Sequence, residues 1–330
     1  MTRVAVVGRG SAATRTLRIL GEMSISNLVH IGSKPLEGLE KNHLSSLENI
    51  SGSDVDWVFD CSPASTRAKH AEMLAERGLP TIFEKPLGVN SDEGEEVLDF
   101  FSMQDVPVRV GYNLRHRHAF HFVGETLASS SLGALTKAEI SVGQYLPDWR
   151  PHRDYRSTVS AQSSLGGGAL LELSHDINYS IGLWGRMLEL KGEIVHSGEL
   201  DIDVEDWAKA SVRFEAEAAP AEVTITLDFL RRTPERWCRI FGNQGDLYWD
   251  LLENRVVIST PSGESVHQFG DSLEDTYRAD ILCMLTEDTQ QPERFQNNSD
   301  ALHTLEVIDA WRASSHSGHE VRVRGVSANG

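Results

Sequence analysis

The first third of the chain alternates short apolar runs with segments whose apolar residues recur at helical spacing. The runs are rich in Val, Ile and Phe and fit five strands: Arg3–Val7, Leu28–Ile31, Val55–Asp60, Thr81–Phe83 and Val106–Val110. The helical segments between them are Ala12–Leu20, Thr66–Glu76 and Asp92–Phe101. Continuously apolar strands are typical of parallel sheets buried on both faces. The pattern therefore predicts a doubly wound, parallel α/β sheet.

After about residue 134 several apolar runs alternate with polar positions, as in strands with one buried face. The predicted strands are Leu135–Tyr145, Ala208–Phe214, Glu222–Phe229, Trp237–Phe241, Asp246–Trp249 and Val256–Ser259. Asn243–Gly245 is a tight-turn signal between two of them. The predicted helices are Leu171–Trp184, Glu274–Leu285 and Ala301–Ser314. We expect an α+β domain with an open, mostly antiparallel sheet and helices on one face, and domains at 1–115 and 116–330.

The composition limits the classes of protein that fit. The chain has 330 residues, with 49 acidic against 31 basic side chains and a net charge of −18. This charge opposes attraction to nucleic acid or an anionic membrane, so we expect neither as a partner. No apolar run is long enough to cross a bilayer and no signal peptide precedes the first strand, which favours a soluble cytoplasmic protein. The three cysteines are scattered without a CxxC pair, so we expect neither disulfides nor a metal site.

A GxGxxA motif directly follows the first predicted strand and opens a helix. Gly8 allows the tight turn, Gly10 lets a pyrophosphate approach the backbone, and Ala13 keeps helix and strand close. Ser11 and Ala12 stand at the start of the helix, where free N–H groups and the helix dipole suit a diphosphate. This context predicts a Rossmann domain that binds a nicotinamide dinucleotide.

The segment after the second strand bears on the choice of coenzyme. NAD enzymes usually carry an acidic residue about 20 residues after the glycines, where it binds the ribose hydroxyls. Here the strand is followed by Ser33 and Lys34, with no acid before Glu37. A hydroxyl and an ammonium group suit a 2′-phosphate, so the sequence favours NADP(H), with NAD(H) as the alternative. The competing interpretation is that Lys34 is only a solvated loop lysine.

Two further motifs extend this interpretation. Glu84-Lys85-Pro86 follows a strand, and the glycine-rich turn 166–168 enters a helix through Leu173-Ser174-His175-Asp176. With the GxGxxA motif and the segment that begins Ser62-Pro63, they make the chain resemble the glucose–fructose oxidoreductase/inositol dehydrogenase (Gfo/Idh/MocA) family over essentially its whole length.

The resemblance implies an oxidoreductase that transfers hydride between nicotinamide and a carbinol or keto carbon of a sugar. It implies that Lys85 orients the substrate hydroxyl and the nicotinamide, and that His175 is the general acid/base. Imidazole can accept the hydroxyl proton near neutral pH, and an ammonium group stabilises the developing alkoxide. The same resemblance places the coenzyme against a second set of residues: Ser62, Pro63, Glu84, Lys85 and Pro86.

The sequence departs from the family pattern at two places. The family usually has an Asp four residues before its His, where this chain has Leu171. Glu172 precedes His175 by three residues instead, which predicts one shared helix face; either Glu172 orients His175 or Asn178 contacts the sugar. After Pro63 the family often has a His near the coenzyme, where this chain has Arg67, with His70 one helical turn later.

A polar stretch between residues 145 and 166 is predicted to be a functional loop, because loops of this length commonly are. Its arginines and aromatic rings suit an anionic sugar. The predicted substrate-binding residues are Tyr112, Asn113, Arg115, Trp149, Arg150, Arg153, Tyr155, Asn178 and Arg231. The resemblance to family members of surface-polysaccharide metabolism also favours an acidic or nucleotide-linked sugar. The competing interpretation is that these arginines are solvated or form structural ion pairs.

Two other functions remain open at this point. One is a redox-assisted, NAD-dependent glycosidase of the same fold, and the other is a non-catalytic regulator that binds the dinucleotide. An open sheet needs its exposed face covered, so we also expect a homodimer or homotetramer.

Overall fold

The computed structural model describes residues 2–25, 27–52, 54–286 and 298–325. The strands are β1 (Arg3–Val7), β2 (Asn27–Ile31), β3 (His43–Leu44), β4 (Trp57–Asp60), β5 (Thr81–Glu84), β6 (Val108–Gly111), β7 (Leu135–Gly143), β8 (Met187–Val195), β9 (Trp207–Phe214), β10 (Glu222–Asp228), β11 (Glu235–Gly242), β12 (Asp246–Asp250), β13 (Arg255–Thr260), β14 (Gly263–Gln268) and β15 (Val321–Arg322). The helices are α1 (Ser11–Glu22), α2 (Arg67–Glu76), α3 (Ser91–Met103), α4 (His118–Ala128), α5 (Ala169–Glu172), α6 (His175–Trp184), α7 (Leu273–Thr286) and α8 (Asn298–Ser317).

The chain divides into two compact units. Unit 1 comprises Met1–Tyr112 and Tyr277–Leu302, and unit 2 comprises Asn113–Thr276 and His303–Gly330. No helix in the described ranges combines the length and apolar character needed to span a membrane.

Unit 1 contains a six-stranded parallel sheet in the order β3-β2-β1-β4-β5-β6. Successive residues of β1 point to opposite faces, yet Val4, Ala5 and Val6 are all fully buried. One face packs against Leu17 and Leu20 of α1. Burial on both faces explains why these strands are continuously apolar, and it confirms the predicted doubly wound sheet.

Unit 2 contains a nine-stranded sheet in the order β14-β13-β12-β11-β7-β10-β9-β8-β15. Its paired strands are antiparallel except β7 and β10, as the predicted mostly antiparallel sheet requires. In β9, Ala210 and Val212 are buried whereas Ser211 and Arg213 are exposed, so one face of the sheet is covered.

Helix α8 covers part of that face. The indole of Trp311 is fully buried, and its Nε1 donates to the carbonyl of Glu193 at 3.2 Å. A Cβ at Gly192 would overlap the indole, so the missing side chain at this position lets the helix approach β8. The predicted antiparallel sheet with helices on one face is confirmed.

Candidate active site

The turn between β1 and α1 has the geometry of a pyrophosphate cradle. Gly8 has a φ of +113°, and a Cβ there would lie 3.0 Å from the carbonyl oxygen of Cys61. Gly10 caps α1, and a Cβ built on it would meet no protein atom within 4 Å. Ala13 is fully buried, which keeps α1 close to the sheet. The open space at Gly10 is where a ligand can approach the backbone.

Helix α1 begins with Ser11 and Ala12 at the end of the glycine turn, and its first turn carries no acidic residue. The partial positive charge of the helix start is therefore not neutralised by a carboxylate of that turn. A 12-residue helix that presents its free N–H groups in this way suits a phosphate anion. The residues present fit the pyrophosphate of a dinucleotide.

A pocket of about 350 Å³ opens beside this turn, and we call it the dinucleotide pocket. Its lining includes the glycine turn, the end of β2, the segment after β3 and one side of α2: Val7, Gly8, Arg9, Ile31, Gly32, Ser33, Ser45, Ser46, Leu47, Glu48, Lys69, His70 and Met73. Ser33 is therefore in the pocket wall, whereas the exposed Lys34 is outside this lining.

The side chain of Arg9 lies across the end of β2. A Cβ at Gly32 would lie only 2.9 Å from Cγ of Arg9, so the glycine makes room for the arginine. The position where NAD enzymes place their ribose-binding acid is thus bordered by a guanidinium side chain. Glu48 is the acidic residue in the lining, and its Oε2 accepts a hydrogen bond from Ser46 at 3.0 Å.

A buried carboxylate stands behind the pocket at the end of β4. Asp60 is fully buried, and its Oδ2 lies 2.7 Å from Nδ1 of His70. Its Oδ1 accepts hydrogen bonds from both the backbone N–H and the hydroxyl of Ser62. Burial alone would raise the pKa of the Asp60 carboxyl, but the bond to His70 and the charge of Arg67 outweigh it and hold this pKa below its usual value.

Arg67 joins the end of β4 to the segment that carries Lys85. Its guanidinium is almost fully buried, with Nη1 donating to the carbonyl of Asp60 at 2.7 Å and Nε to that of Pro86 at 3.2 Å. The same group lies 5.3 Å from the ring centroid of Phe83. Lys85 directly precedes Pro86, so Arg67 fixes the backbone beside the candidate catalytic lysine.

Glu84 is held from another side. Its Oε2 lies 3.4 Å from Nη2 of Arg15, on the second turn of α1. The Arg15 guanidinium also lies over the ring of Tyr277, 3.7 Å from its centroid. The Lys85–Pro86 peptide bond is cis. The Glu84-Lys85-Pro86 motif is therefore tied both to α1 and, through Arg67, to the end of β4.

In unit 2 the predicted single helix Leu171–Trp184 is wrong, because the structure has two helices there. Helix α5 ends at Glu172 and α6 begins at His175. The hydroxyl of Ser174 donates to the carbonyl of Leu171 at 2.8 Å, a local bond of the kind that competes with helical pairing. Glu172 and His175 thus lie on different helices and not, as predicted, on one face of a single helix.

The surroundings of these two helices are polar and buried. Ser160 donates to Oε2 of Glu172 at 2.5 Å. Asp176, next to His175, is fully buried. Its carboxylate accepts hydrogen bonds from both Nε and Nη2 of Arg236, at 3.2 and 2.6 Å. This two-point ion pair anchors the start of α6 to β11, which fixes the helix end that carries His175.

Four predicted substrate-binding residues are buried. Tyr112 belongs to unit 1 and is 1% exposed. In unit 2, Asn113 donates to the hydroxyl of Thr276 at 2.7 Å, and Arg115 donates to the carbonyl of Asn178 at 2.5 Å. The side chain of Asn178 donates to Thr304, while its Oδ1 has no recorded partner among the described residues.

The predicted substrate loop forms short 3-10 turns. Trp149 donates to the carbonyl of Gln144 at 3.1 Å and packs edge-on against Phe229. The hydroxyl of Tyr155 accepts the N–H of Asp201.

The predicted arginines differ in their surroundings. Arg150 is half-buried and Arg153 is exposed. Arg231 is within 3.4 Å of both Asp228 and Glu235, which makes it part of a local ion-pair cluster.

The residues of the dinucleotide pocket that were not predicted include its basic side chains Arg9, Lys69 and His70. Arg9 is the variable residue between the two glycines of the GxGxxA motif. Its side chain can lie at the end of β2 only because residue 32, 23 positions later, is a glycine. In the sequence, His70 is marked only by its closeness to the position where the family often has a histidine. The signal that could have identified it is the polar residue Asp60 at the end of an otherwise apolar strand.

Two family profiles match the chain. Residues 2–112 match the family described as "Oxidoreductase family, NAD-binding Rossmann fold". Residues 120–248 match "GFO/IDH/MocA C-terminal domain". The two matches cover the dinucleotide pocket and the segment that carries His175.

Relatives and solved structures agree with these matches. Myo-inositol 2-dehydrogenase of Thermotoga maritima is 22% identical over 301 residues, 85% of each chain. The rhizopine catabolism protein MocA of Rhizobium meliloti is 24% identical over 193 residues, 56% of this chain and 57% of that protein. Levoglucosan dehydrogenase in complex with NADH and levoglucosan superposes with a TM-score of 0.83 at 16% identity, covering 98% of this chain and 99% of that chain. The WlbA dehydrogenase of Bordetella pertussis in complex with NADH and UDP-GlcNAcA has a TM-score of 0.77 at 15% identity, with 97% of each chain covered.

The predicted family resemblance is thereby confirmed. The N-terminal profile accounts for the glycine turn and pocket of unit 1, and the C-terminal profile accounts for much of the open sheet of unit 2. The chain belongs to the Gfo/Idh/MocA family and is an oxidoreductase with an NAD-binding Rossmann fold.

Proposed function

We propose that this enzyme is an NADP(H)-preferring dehydrogenase or ketoreductase of an acidic or nucleotide-linked sugar, with Lys85 and His175 as its catalytic residues. The observation that supports it best is the cationic border of the dinucleotide pocket, where Arg9 lies over Gly32. The catalytic roles rest on the motifs that the chain shares with its family.

The preference for NADP(H) follows from the charges at the end of β2. A 2′-phosphate there meets Arg9 and the hydroxyl of Ser33, with Lys34 next along the chain. Guanidinium groups bind phosphate through paired, charge-assisted hydrogen bonds. Glu48 opposes this attraction from the segment after β3, but it is the single carboxylate in the described lining.

The coenzyme preference can be measured without knowing the substrate. We expect NADPH to bind the full-length chain more tightly than NADH at the same ionic strength. Arg9→Ala should weaken NADPH binding by at least about tenfold, the loss of one charge-assisted contact, and NADH binding by much less. Lys34→Ala distinguishes the two interpretations of Lys34. It should weaken NADPH binding if Lys34 binds the 2′-phosphate and leave that binding unchanged if Lys34 is only a solvated loop lysine. Equal affinities for the two coenzymes in the unaltered chain would rule out the preference.

The proposed chemistry moves one hydride and one proton. Bound coenzyme supplies the hydride acceptor or donor at its nicotinamide ring. In the oxidative direction His175 accepts the hydroxyl proton as the substrate carbon loses hydride. The ammonium group of Lys85 donates a hydrogen bond to the same oxygen and stabilises the developing alkoxide. Arg67 and Asp176 act indirectly, since they hold the backbone beside Lys85 and His175.

The substrate class is inferred from the cationic and aromatic residues of the loop 146–156. Arg150 and Arg153 carry guanidinium groups of the kind that bind a carboxylate or phosphate. Arg156 is paired with Asp154 and Asp201. The WlbA complex with UDP-GlcNAcA shows that a protein of this fold holds a ligand of the proposed class. The levoglucosan complex shows that another holds a different sugar, so the distinction needs a direct test.

Turnover of a substrate panel tests the activity. Reduction of NADP⁺ should be seen with uronic, nonulosonic or nucleotide-linked sugars and should be weaker with neutral hexoses and inositols. Lys85→Met should abolish turnover but retain coenzyme binding, while Lys41→Met, at an exposed lysine of unit 1, should change neither. Cleavage of a glycoside to its free sugar without net coenzyme reduction would instead identify the redox-assisted glycosidase. Coenzyme binding without turnover of any sugar would favour the regulator.

We also propose that a second copy of the chain covers the open face of the unit 2 sheet. That face carries half-exposed aromatic residues among charges: Trp237 and Tyr248 have ring centroids 6.2 Å apart, and Arg239 lies over Phe241. Aromatic residues and arginine are common at protein interfaces. Light scattering after size-exclusion chromatography should give a dimer or tetramer, and Trp237→Asp should reduce its mass; a monomer would refute the proposal.

A further inference from the structure

His70 lines the dinucleotide pocket, yet neither the motifs nor the family resemblance gives it a role. The nearby Ser62 was predicted to bind the coenzyme, but its backbone N–H and its hydroxyl both donate to Oδ1 of Asp60. The hydroxyl oxygen in turn accepts from Thr66 at 3.1 Å. In this geometry Ser62 has no proton left for a phosphate oxygen. His70, which bonds the same carboxylate, is a neighbouring side chain of the pocket lining that can supply one.

The buried carboxylate fixes how the ring of His70 can act. Nδ1 lies 2.7 Å from Oδ2 of Asp60, and an ionised carboxylate can only accept hydrogen bonds, so Nδ1 carries a proton. The side chain is 19% exposed at the pocket wall, and Nε2 remains for a ligand. In the neutral ring Nε2 is an acceptor and repels phosphate oxygens. In the imidazolium it is a charged donor that binds them.

We propose that His70 is a coenzyme-binding residue that, as an imidazolium held by Asp60, binds the anionic part of the dinucleotide. Binding then draws one proton from solvent onto Nε2 of the ring whenever the free protein holds it neutral. Coenzyme affinity is consequently linked to pH and falls as pH rises through the neutral range. This inference rests on the proposed coenzyme function but requires no particular sugar substrate.

The charged groups around His70 have opposite signs. Asp60 from β4 favours the imidazolium, and Glu48, in the same pocket lining, also does. Arg67 and Lys69 from α2, and Arg9 from the glycine turn, oppose it.

Two other histidines lie close to the pocket in unit 1. His30 is fully buried, and burial lowers the pKa of its ring, which hydrogen-bonds the carbonyl of Gly8. His43 bonds the carbonyl of Gly32 and is not part of the pocket lining. Among the described lining residues, His70 is the single histidine. His43 therefore offers a matched control.

The test measures the dissociation constant of NADH for the full-length chain at pH 6, 7 and 8 and constant ionic strength. NADH is the probe because a 2′-phosphate itself titrates near about pH 6. From pH 6 to pH 8 we expect the affinity to fall about three- to tenfold, since uptake of one proton changes it by at most tenfold per pH unit. His70→Gln should change less than about twofold over this range, and His43→Gln should keep the slope of the unaltered chain.

Calorimetry of the unaltered chain gives a second readout that does not depend on a variant folding. Titrations at pH 7 in two buffers with different ionisation enthalpies should show net proton uptake on NADH binding. Absence of uptake, or an equal pH slope in His70→Gln, overturns the inference while leaving the coenzyme function intact. Failure of the folded chain to bind either NADH or NADPH overturns the proposed function itself.

Discussion

Arg67→Met tests whether the buried guanidinium holds the two ends of the candidate site in unit 1. Methionine keeps much of the apolar stem but removes the donors to the carbonyls of Asp60 and Pro86. Each buried acceptor left unpaired costs about 1–3 kcal/mol. The buried Asp60 also loses a neighbouring positive charge, and breaking a buried charge pair costs about 3–5 kcal/mol. Because these effects overlap, we expect unit 1 to lose about 3–5 kcal/mol.

Arg77 provides a matched control at the end of the same helix. Its Nη1 also donates to backbone carbonyls, those of Leu47, Glu48 and Ile50, at 3.0–3.3 Å. Arg77 is exposed, however, so water can replace the lost donor. Arg77→Met should therefore cost only about 1 kcal/mol, the usual net value of a hydrogen bond. The two substitutions are chemically identical, and the difference between them isolates the effect of burial.

Hydrogen exchange followed by mass spectrometry can read the stability of each unit separately. A single melting temperature is not well defined for a chain with two compact units, whereas exchange of peptides from β4 and β5 reports unit 1. We expect faster exchange there in Arg67→Met and near-normal exchange in peptides from β9 and β10. If the two methionine variants differ by less than about 1 kcal/mol, the inference that burial decides the strength of these bonds is refuted.

Three further outcomes follow from other parts of the structure. Iodoacetamide at pH 8 should label Cys61 and Cys238 slowly in the native chain and rapidly in urea, because burial raises the pKa of both thiols, that of Cys61 to about 12; rapid native labelling would contradict this. Gly168→Ala should destabilise unit 2 by at least about 1 kcal/mol more than Gly198→Ala, since both have positive φ but only at Gly168 would a Cβ overlap a carboxylate, that of Glu205. Burial raises the pKa of Glu205 above its usual 4.5, so its contribution to stability is complete below pH 4.5 and is lost as pH rises through the raised pKa. Glu205→Gln should therefore lose less stability than the unaltered chain between pH 4.5 and pH 7 in urea unfolding, and identical profiles would show that Glu205 does not titrate differently in the folded state.

The sequence predicted the fold best where burial is strongest. Five strands of unit 1 were found within a few residues, as the fully buried β4 shows: Val55–Asp60 was predicted and Trp57–Asp60 is observed. The half-buried, two-residue β3 at the edge of the sheet was not predicted. Three strands of unit 2 were not predicted: Met187–Val195, Gly263–Gln268 and the two-residue Val321–Arg322. Every residue of Gly263–Gln268 is exposed or half-exposed, so the alternation that marks a half-buried strand is absent.

The candidate site was predicted only as far as local motifs reach. The glycine turn could be predicted because Gly8, Gly10 and Ala13 lie within six positions of the chain. Each small residue is required there by the path or the packing of the backbone. The break between α5 and α6, where the hydroxyl of Ser174 bonds the carbonyl of Leu171, was not predicted. Apolar periodicity continues through such a break, so the pattern gives no warning of it.

The cluster of Asp60, Arg67 and His70 escaped prediction for a reason of energy rather than spacing. A lone carboxylate at the end of a buried strand is so costly that it persists only with paired donors, and the strand itself does not reveal what these donors are. Here they come from Ser62, two residues after the carboxylate, and from His70, ten residues after it on α2, while Arg67 adds a neighbouring positive charge. The guanidinium of Arg67 donates its hydrogen bonds to backbone carbonyls, whereas the partly exposed imidazole of His70 lies in the pocket wall. A cluster built only for stability would have no need of a titratable member at that wall, and this asymmetry is why a coenzyme-binding role for His70 is the more economical account of its position.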